Sequence, residues 1–552
     1  MYILGVNGWI RGIHDASAAL FYNGKLIAAA EEERFSRRKH AFNSLPYAAM
    51  NYCLQEAGIT ADDIDHIAVG WDLAELDQYY GKEGMKQKEM LDIVFPQQMF
   101  PRVKDPDFHL IPHHVSHASA AFYESGFDQA TIVVVDGSGE NESISIARGD
   151  RSSKSVEILK TYPLRSSLGI FYEAVTLFCG LGKFGEGKTM GLASYAEPVH
   201  KFPTILEGPP QLTDDQNRDD VVLKSWLTYL QSHFQSQTKV PGYDFDPLYG
   251  TLQKHDHSLS YASIAASAQQ SLEDGLVQIV KEAIQLTGMN QVCLTGGVAL
   301  NCVANRKVAN LPEVNGLYIQ PASSDSGVSI GAAAWLSAQC GLDVTVPLDH
   351  VYSGPSFSEE QIMDVLNQFS LSYQKPNHLE EEVAKLLMDD KVVARFDGRM
   401  EMGPRALGNR SILSNPRSKE MLKRVNHIKL REQWRPLAPS MTVELKGQVL
   451  VEQEASPHML LSSEVRSEQR DHVPAIVHVD YSTRAQVVDK RMNEGYWNLL
   501  TTFADMSGVP TVMNTSFNIG SEPIVCTPVH ALKSFYASGI DALILGPILV
   551  RK

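Results

Sequence analysis

The 552-residue chain has only six cysteines, Cys53, Cys179, Cys293, Cys302, Cys340 and Cys526, and none of them form a CxxC pair. That scatter argues against a zinc ribbon or a disulfide frame and predicts buried thiols in a reducing compartment. Long apolar runs are also missing: no stretch approaches the roughly 20 residues of a membrane span. The opening segment MYILGVNGWIRGIHD has no basic region followed by an apolar run of signal length. The last apolar stretch, Ala542 to Val550, is broken by Gly546 and Pro547 and is strand-sized. Positive charge is scarce, with 49 Lys and Arg against 65 Asp and Glu, a net of −16. An anionic surface disfavours general binding to nucleic acid or anionic membranes. A cytoplasmic protein with no nucleic-acid and no membrane partner is expected; the oligomeric state has no signature. The remaining composition, 43% hydrophobic and 21% charged, is that of a globular chain of two to four domains.

The densest chemistry lies between Pro112 and Glu140, PHHVSHASAAFYESGFDQATIVVVDGSGE. Pro112 suits a first helical turn, Ala118, Ala120 and Ala121 favour helix, and Gly126 can end it. On that helix His113 and His117, four apart, leave the same face. A β-branched strand, Thr131 to Val135, follows and carries Asp136, Gly137, Ser138 and Gly139 at its end. Two imidazoles and a strand-end carboxylate can close on one metal ion, and the glycines let backbone approach a phosphate. Taken singly, an i,i+4 histidine pair is often a helix-surface coincidence and Asp-Gly an ordinary turn. Their occurrence together within about twenty-five residues favours a site.

Along the chain, Tyr2 to Val6, Ala18 to Tyr22 and Leu26 to Ala30 read as strands, with Asn23-Gly24 as a hairpin turn. The pattern recurs in part at Thr131–Asp136–Ser143–Ile146, which suggests a duplicated ATP-binding fold. The run EEERFSRRKH (31–40) reads as a solvated face from which Lys39 could reach into a site. Residues 41–63 look helical and Ile64 to Val69 a strand, whereas 75–108 form a polar connection without an assignable element. Ser166 to Lys188 holds a helix flanked by glycines, and GEGKTMG (185–191) reads as a loop, lacking P-loop spacing. Residues 197–258 read as an insertion or lid rather than a core element. A long helix from Ser260 carries the stripe Leu272, Leu276, Ile279, Val280, Ala283 and Ile284 and ends at Gly288. Strand Gln291 to Leu294, the turn Thr295-Gly296-Gly297 and a helix near Asn301 make a place for a nucleotide. Asp325-Ser326-Gly327 repeats that theme. A boundary falls near 340–356, with a capping-box pattern over Ser356 to Glu359.

Beyond it, eleven Lys or Arg and four Asp or Glu lie between Arg395 and Arg435, a local net of +7. Arginines on Gly- and Pro-rich turns in an acidic protein suit a small polyanion.

These residues resemble a known family. HHVSHA, VVVDGSGE, GEGKTMGLA, LTGGVALN and PASSDSGVSIGAA are similar to the O-carbamoyltransferases, which include nodulation protein U and the cephem and aminoglycoside antibiotic carbamoyltransferases. GRMEMGPRALGNRSIL, HIKLREQWRPLAPS and MNTSFN resemble the same family's C-terminal part. The resemblance implies an α/β chain: a duplicated actin/Hsp70-like (ASKHA) domain over 1–345, similar to the tRNA threonylcarbamoyl transferases, with the insertion at 197–258. A YrdC-like α/β domain over 346–552 follows. It implies carbamoyl-AMP formation from carbamoyl phosphate and ATP, with Mg(II), in the C-terminal domain. Transfer to a hydroxyl of a small-molecule acceptor, a natural product or sugar, takes place in the N-terminal one. The implied metal ligands are His113, His117, Asp136 and Asp325, with Fe(II) expected and another divalent ion possible. Nucleotide and carbamoyl phosphate fall to Arg405, Lys429, Arg435, Arg484, Asn514 and Ser516. Lys429-x-Arg431 and Ser516-x-Asn518 resemble YrdC signatures, although Phe517 replaces the usual alanine. Catalytic candidates are His14, Lys39 and Asp136, with His14 on the acceptor side. Gly137, Gly169, Gly296, Gly297 and Asn301 are candidates for the nucleotide, Glu173 and Lys188 for the substrate. Two rivals remain: a small-molecule kinase of the same superfamily, and a non-catalytic, nucleotide-gated binding protein.

Overall fold

The computed structural model describes residues 1–79, 81, 84–210, 212, 218–234, 258–347, 349–452 and 456–552. Its first sheet contains β1 (Tyr2–Asn7), β2 (Ser17–Tyr22), β3 (Lys25–Glu31), β4 (Ile64–Val69) and β5 (Asp107–Leu110) in the order β3-β2-β1-β4-β5. β1 to β3 form an antiparallel meander. Asn23 and Gly24 turn its second hairpin with φ of 47° and 81°, the left-handed pair that a two-residue loop demands.

The second sheet contains β6 (Gln129–Val135), β7 (Glu142–Asp150), β8 (Ser155–Pro163), β9 (Gln291–Thr295) and β10 (Gly316–Ile319) in the order β10-β9-β6-β7-β8. β6 to β8 are antiparallel, and β9 runs parallel to both β6 and β10. Read from its other edge, this sheet visits its strands in the same order as the first. The partial repeat in the sequence is thus a whole duplicated topology, the arrangement of the actin/Hsp70-like fold.

The third sheet draws on β11 (Val393–Phe396), β12 (Arg410–Ser414), β13 (Ala438–Thr442), β16 (Gln486–Val488), β17 (Val512–Ser516), β18 (Ala542–Leu545) and β19 (Ile548–Arg551). Their order is β16-β13-β17-β12-β11-β18-β19; β14 (Ser463–Glu464) and β15 (Ser482–Thr483) pair separately. The strand-sized tail is the β18/β19 hairpin, turned at Gly546.

Two compact units emerge. One comprises 1–68, 86–109 and 345–552, the other 69–85 and 110–344. In the first, β3 is tied to the chain beyond 345 by the Lys25–Thr345 bridge and by Ala29 N–H donating to Ser353 O at 3.2 Å. Residues on both sides of the expected 345/346 division therefore share one compact unit.

Several local expectations are corrected. The run 31–40 is not a solvated face where it is most acidic: Glu31, Glu32, Glu33 and Arg34 are all buried. Arg34 donates to Glu31 at 2.8 Å and to Gly403 O at 2.7 Å and pairs with Glu33, so its guanidinium is held between two carboxylates where water is excluded. Within 41–63 the helix spans only Tyr47–Ala57, between Pro46 and a left-handed Gly58. Region 75–108 contains helix Gln87–Val94, whose apolar edge Met90, Leu91 and Val94 is buried among Gln, Lys and Glu. GEGKTMG lies mostly in helix Glu186–Ala193 rather than in a loop. Within 197–258, helix Asp219–Phe234 buries Val222, Trp226, Leu230 and Phe234 at every fourth position, and Trp226 packs edge-on against Phe171 at 4.9 Å. That helix is a core element. The lid reading of 213–217 and 235–257 lies outside the described residues. The capping box belongs to Ser358 and Gln361, which exchange bonds of 3.2 and 2.8 Å. Five cysteines are buried as expected, and Cys340 is exposed.

Candidate functional site

Helix His113–Ser125 starts at Pro112, ends at a left-handed Gly126, and is almost wholly buried. Its first turn is anchored by Glu140, which accepts from the N–H of His113 at 3.0 Å and of Asp72 at 2.9 Å. His113 and His117 point their Nε2 atoms at one spot, 3.1 Å apart. Asp136, at the end of β6, places Oδ2 3.4 Å from His113 Nε2 and 3.2 Å from His117 Nε2. Asp325 places Oδ1 3.6 and 3.8 Å from the same two atoms. One ligand atom from each of the four residues lies within 4.8 Å of all the others, and all four residues are buried.

The surroundings fix these rings. His113 Nδ1 is 3.2 Å from Gly70 O, which sets the tautomer with Nε2 as the lone-pair nitrogen. Trp71 stacks on the same ring at 3.6 Å. His117 Nδ1 is 3.4 Å from Thr295 Oγ1. Asp136 Oδ1 accepts from the N–H of Gly137 at 2.8 Å and of Gly297 at 2.9 Å, leaving Oδ2 for the imidazoles. Burial opposes charge on His113, but Asp325 and Asp136 overcome it and raise the ring to about 10. Burial likewise opposes charge on Asp136, yet the two histidines hold its carboxyl well below the ordinary range. Two buried carboxylates facing two imidazoles make a donor set that fits a divalent ion with coordination positions left open. His114 is turned away, 2.7 Å from Ser145 Oγ, and burial pushes it well below its usual value.

The glycine candidates build this pocket's backbone. Gly296 stands at φ 87°, where an added Cβ would lie 2.3 Å from Val135 O. At Gly169 an added Cβ would meet Gly137 N and Asp136 O at 2.8 Å, so helix Leu168–Phe178 begins directly against the β6 turn. Gly137 itself faces open space. Asn301 caps the following helix through Ala304 N–H at 3.0 Å and donates to Gln269 at 2.9 Å, so its side chain is spent on structure. Glu173 and Lys188 are half-buried in the same unit.

The other candidates gather in the first unit. Lys429 follows helix Lys419–Ile428 and is buried. Its Nζ donates to Ser516 Oγ at 3.1 Å and to Asn518 O and Oδ1 at 2.8 and 2.6 Å. Burial first, then Arg431, Lys39 and Arg435, push it well below an ordinary lysine. Burial, Arg435 and Arg484 lower Arg431 to about 9, and burial with Arg484 also lowers Arg435 against the pull of Glu432. Buried cations gathered beside one another in this way suit an anion. Asn514, two residues before Ser516 on β17, donates to Ser440 and Gln486 at 2.9 Å and to Ala406 O at 3.3 Å. It thereby braces the loop carrying Arg405. Glu401 braces it too, accepting from the N–H groups of Leu407, Asn409 and Arg410 at 2.8, 2.8 and 3.1 Å.

His14 and Lys39 come from the first unit's N-terminal segment. His14 Nδ1 is 3.3 Å from Asp15 Oδ2, and Lys39 is near enough to act on Lys429. Sequence reasoning missed Trp71, Gly70, Glu140, Glu401, Asp15 and His40. Only the last two carried a signal, as neighbours of His14 and Lys39.

Residues 2–334 match the family described as Carbamoyltransferase N-terminus, and residues 384–552 that described as Carbamoyltransferase C-terminus. Nodulation protein NolNO of Sinorhizobium fredii is 32% identical over 558 residues, covering 98% of this chain and 79% of that protein. An uncharacterized Synechocystis protein is 33% identical over 608 residues, covering 100% of this chain and 97% of its own. Nodulation protein U of Sinorhizobium fredii is 26% identical and covers 92% of this chain and 93% of its own.

Proposed function

Since the chain belongs to the carbamoyltransferase family, we propose that it is an ATP-dependent O-carbamoyltransferase that works in two steps. In the first, carbamoyl phosphate gives up its phosphate to water, and the carbamate oxygen then takes the α-phosphate of Mg(II)-ATP to form carbamoyl-AMP with release of pyrophosphate. Lys429, Arg431, Arg435 and Arg484 offset the phosphate charge, with Arg405 on the adjoining loop. The gathering of Lys429, Arg431, Arg435 and Arg484, in which burial and then a neighbouring cation lower each of the first three, is the observation that carries this assignment. In the second step, a hydroxyl of a small-molecule acceptor takes the carbamoyl group. A resident Fe(II), or another divalent ion, would be held by His113, His117, Asp136 and Asp325 and supplies Lewis acidity toward a carbonyl or phosphate oxygen. Gly137, Gly296 and Gly297 let the adenylate approach backbone, and His14 takes the hydroxyl proton.

No membrane-length apolar helix occurs among the described residues. The test is mass spectrometry of candidate acceptors incubated with the whole protein, ATP and carbamoyl phosphate. A gain of one carbamoyl group with release of pyrophosphate is expected. A gain of one phosphoryl group would establish the kinase instead, and unchanged acceptors with ATP bound but intact would favour the binding protein.

A further inference from the structure

The turn after β1 and the segment after β3 bring two imidazoles onto one carboxylate. Asp15 Oδ1 lies 2.8 Å from His40 Nδ1, and its Oδ2 lies 3.3 Å from His14 Nδ1. The backbone that achieves this is strained. Asp15 stands at φ 52° and His40 at φ 62°, in the left-handed region. Such positions cost on the order of 1–3 kcal/mol each and persist only where the surroundings over-determine them. Here they do. Asp15 N–H donates to His40 O at 2.6 Å, and His40 N–H donates to Glu33 Oε2 at 2.6 Å. The Asn7 amide donates to the carbonyls of His14 and Asp15 at 3.1 and 3.0 Å.

A second cation is not what this cluster suits. Asp15, Glu33 and His40 could each offer a ligand atom within 4.8 Å of the others. However, Glu33 already accepts from Arg34 and from His40 N–H, one on each oxygen, and both Asp15 oxygens face ring nitrogens. The charged neighbours are Glu31, Glu33 and Arg34 on one side and the two histidines on the other. Burial works against an Asp15 anion, but His40 and His14 outweigh it and keep the carboxyl ionised.

We propose that Asp15 is a positioning residue that holds the Nδ1–H of both His14 and His40, making His40 a second imidazole of the same kind as the acceptor-side His14. A ring whose Nδ1–H is given to a carboxylate carries its lone pair on Nε2 and is a better proton acceptor there. In the transfer, the acceptor oxygen bonds to the carbamoyl carbon and the bond from that carbon to the adenylate oxygen breaks. AMP leaves with the electron pair, and the hydroxyl proton passes to an imidazole Nε2 that Asp15 supports. The chemical step rests on the carbamoyl-transfer reading above; the hydrogen-bond arrangement does not.

The experiment uses the full-length protein and has two readouts. Imidazole N–H resonances are recorded for wild type, Asp15→Asn, His14→Gln and His40→Gln. Apart from any signals of His113 and His117 at Asp136 and Asp325, two strongly downfield, carboxylate-bonded N–H signals are expected in wild type, both lost in Asp15→Asn and one lost in each histidine variant. Survival of both signals in Asp15→Asn overturns the proposal. If Asp15→Asn does not fold, the histidine variants decide, because a variant that removes neither signal overturns it equally. In the second readout, kcat for carbamoyl transfer in Asp15→Asn falls about 10²–10⁴-fold, with KM for ATP unchanged. A kcat within threefold of wild type sinks the positioning role. A wild type that carbamoylates no acceptor refutes the functional reading alone, and the N–H signals still settle the arrangement.

Discussion

The His/Asp cluster of one unit and the Lys/Arg cluster of the other are opposites in charge. The first sets two buried carboxylates against two imidazoles, and the second gathers cations beside cations. At His113, His117, Asp136 and Asp325, the two carboxylates raise the His113 ring to about 10 against its burial. At Lys429, Arg431 and Arg435, neighbouring cations and burial pull every member down. Arg34 shows the contrasting, structural use of buried charge. Burial would lower it, but Glu31 and Glu33 raise it well above its ordinary value, and its guanidinium bonds both carboxylates. Arg34 bonds carboxylates of its own chain and so serves the fold, whereas the gathered cations Lys429, Arg431 and Arg435 suit an anion.

The contrast can be broken at four points. The largest effect is expected at the metal ligands. His113→Ala or His117→Ala should abolish Fe(II) uptake, weakening affinity by more than the roughly 10–100-fold of an outer-sphere change. Acceptor transfer should vanish while pyrophosphate release continues, as metal analysis and product assays would show. Wild-type metal content in either variant would mean that the cluster is not the metal site. Next comes Arg34→Met, which strands Glu31 and Glu33 in the interior. It should cost about 3–5 kcal/mol in a urea melt. Less than 1 kcal/mol would show that the pairing is incidental.

Arg435→Ala should do the reverse, holding stability near that of wild type while slowing adenylate formation. A lost charge-assisted contact of about 1.5–3 kcal/mol corresponds to roughly 10–150-fold in pyrophosphate release. Equal loss of pyrophosphate release in Arg435→Ala and His117→Ala would dissolve the division of labour between the clusters.

The smallest effect concerns Glu32. Burial pushes its carboxyl up to about 7 from 4.5, against the backbone N–H groups that bind it. The folded state therefore binds the proton more tightly than the unfolded chain. The stability this adds is full below about pH 4.5 and is lost as pH rises through about 7. Glu32→Gln should flatten that part of the Tm profile, and an unchanged slope would show that Glu32 titrates normally.

The helix carrying His113 and His117 was legible because its signal is local. Four residues apart on a helix means one face, and Pro112 and Gly126 mark the ends. The strand ending in Asp136 was legible for the same reason, and the Asn23-Gly24 hairpin gave half of a repeat that the second sheet completes. Helix Asp219–Phe234 was missed because its apolar residues are spread around the helix, and the buried line Val222, Trp226, Leu230 and Phe234 stands out only against Phe171. The acidic run at 31–34 was read the wrong way round, since hydropathy scores each charge alone and cannot see its partner.

By itself the sequence determined the helix and strand carrying the ligands, the meander that repeats, and the excess of cations between Arg395 and Arg435. Only the tertiary structure decided that Asp325 joins Asp136 beside the two histidines. The same holds for Gly70 and Trp71 fixing the His113 ring, and for Lys39 lying close enough to act on Lys429. The physical reason is range. Periodicity and turn chemistry act over a few residues of chain, whereas charge balance and ligand geometry depend on distances through space that only the folded chain sets.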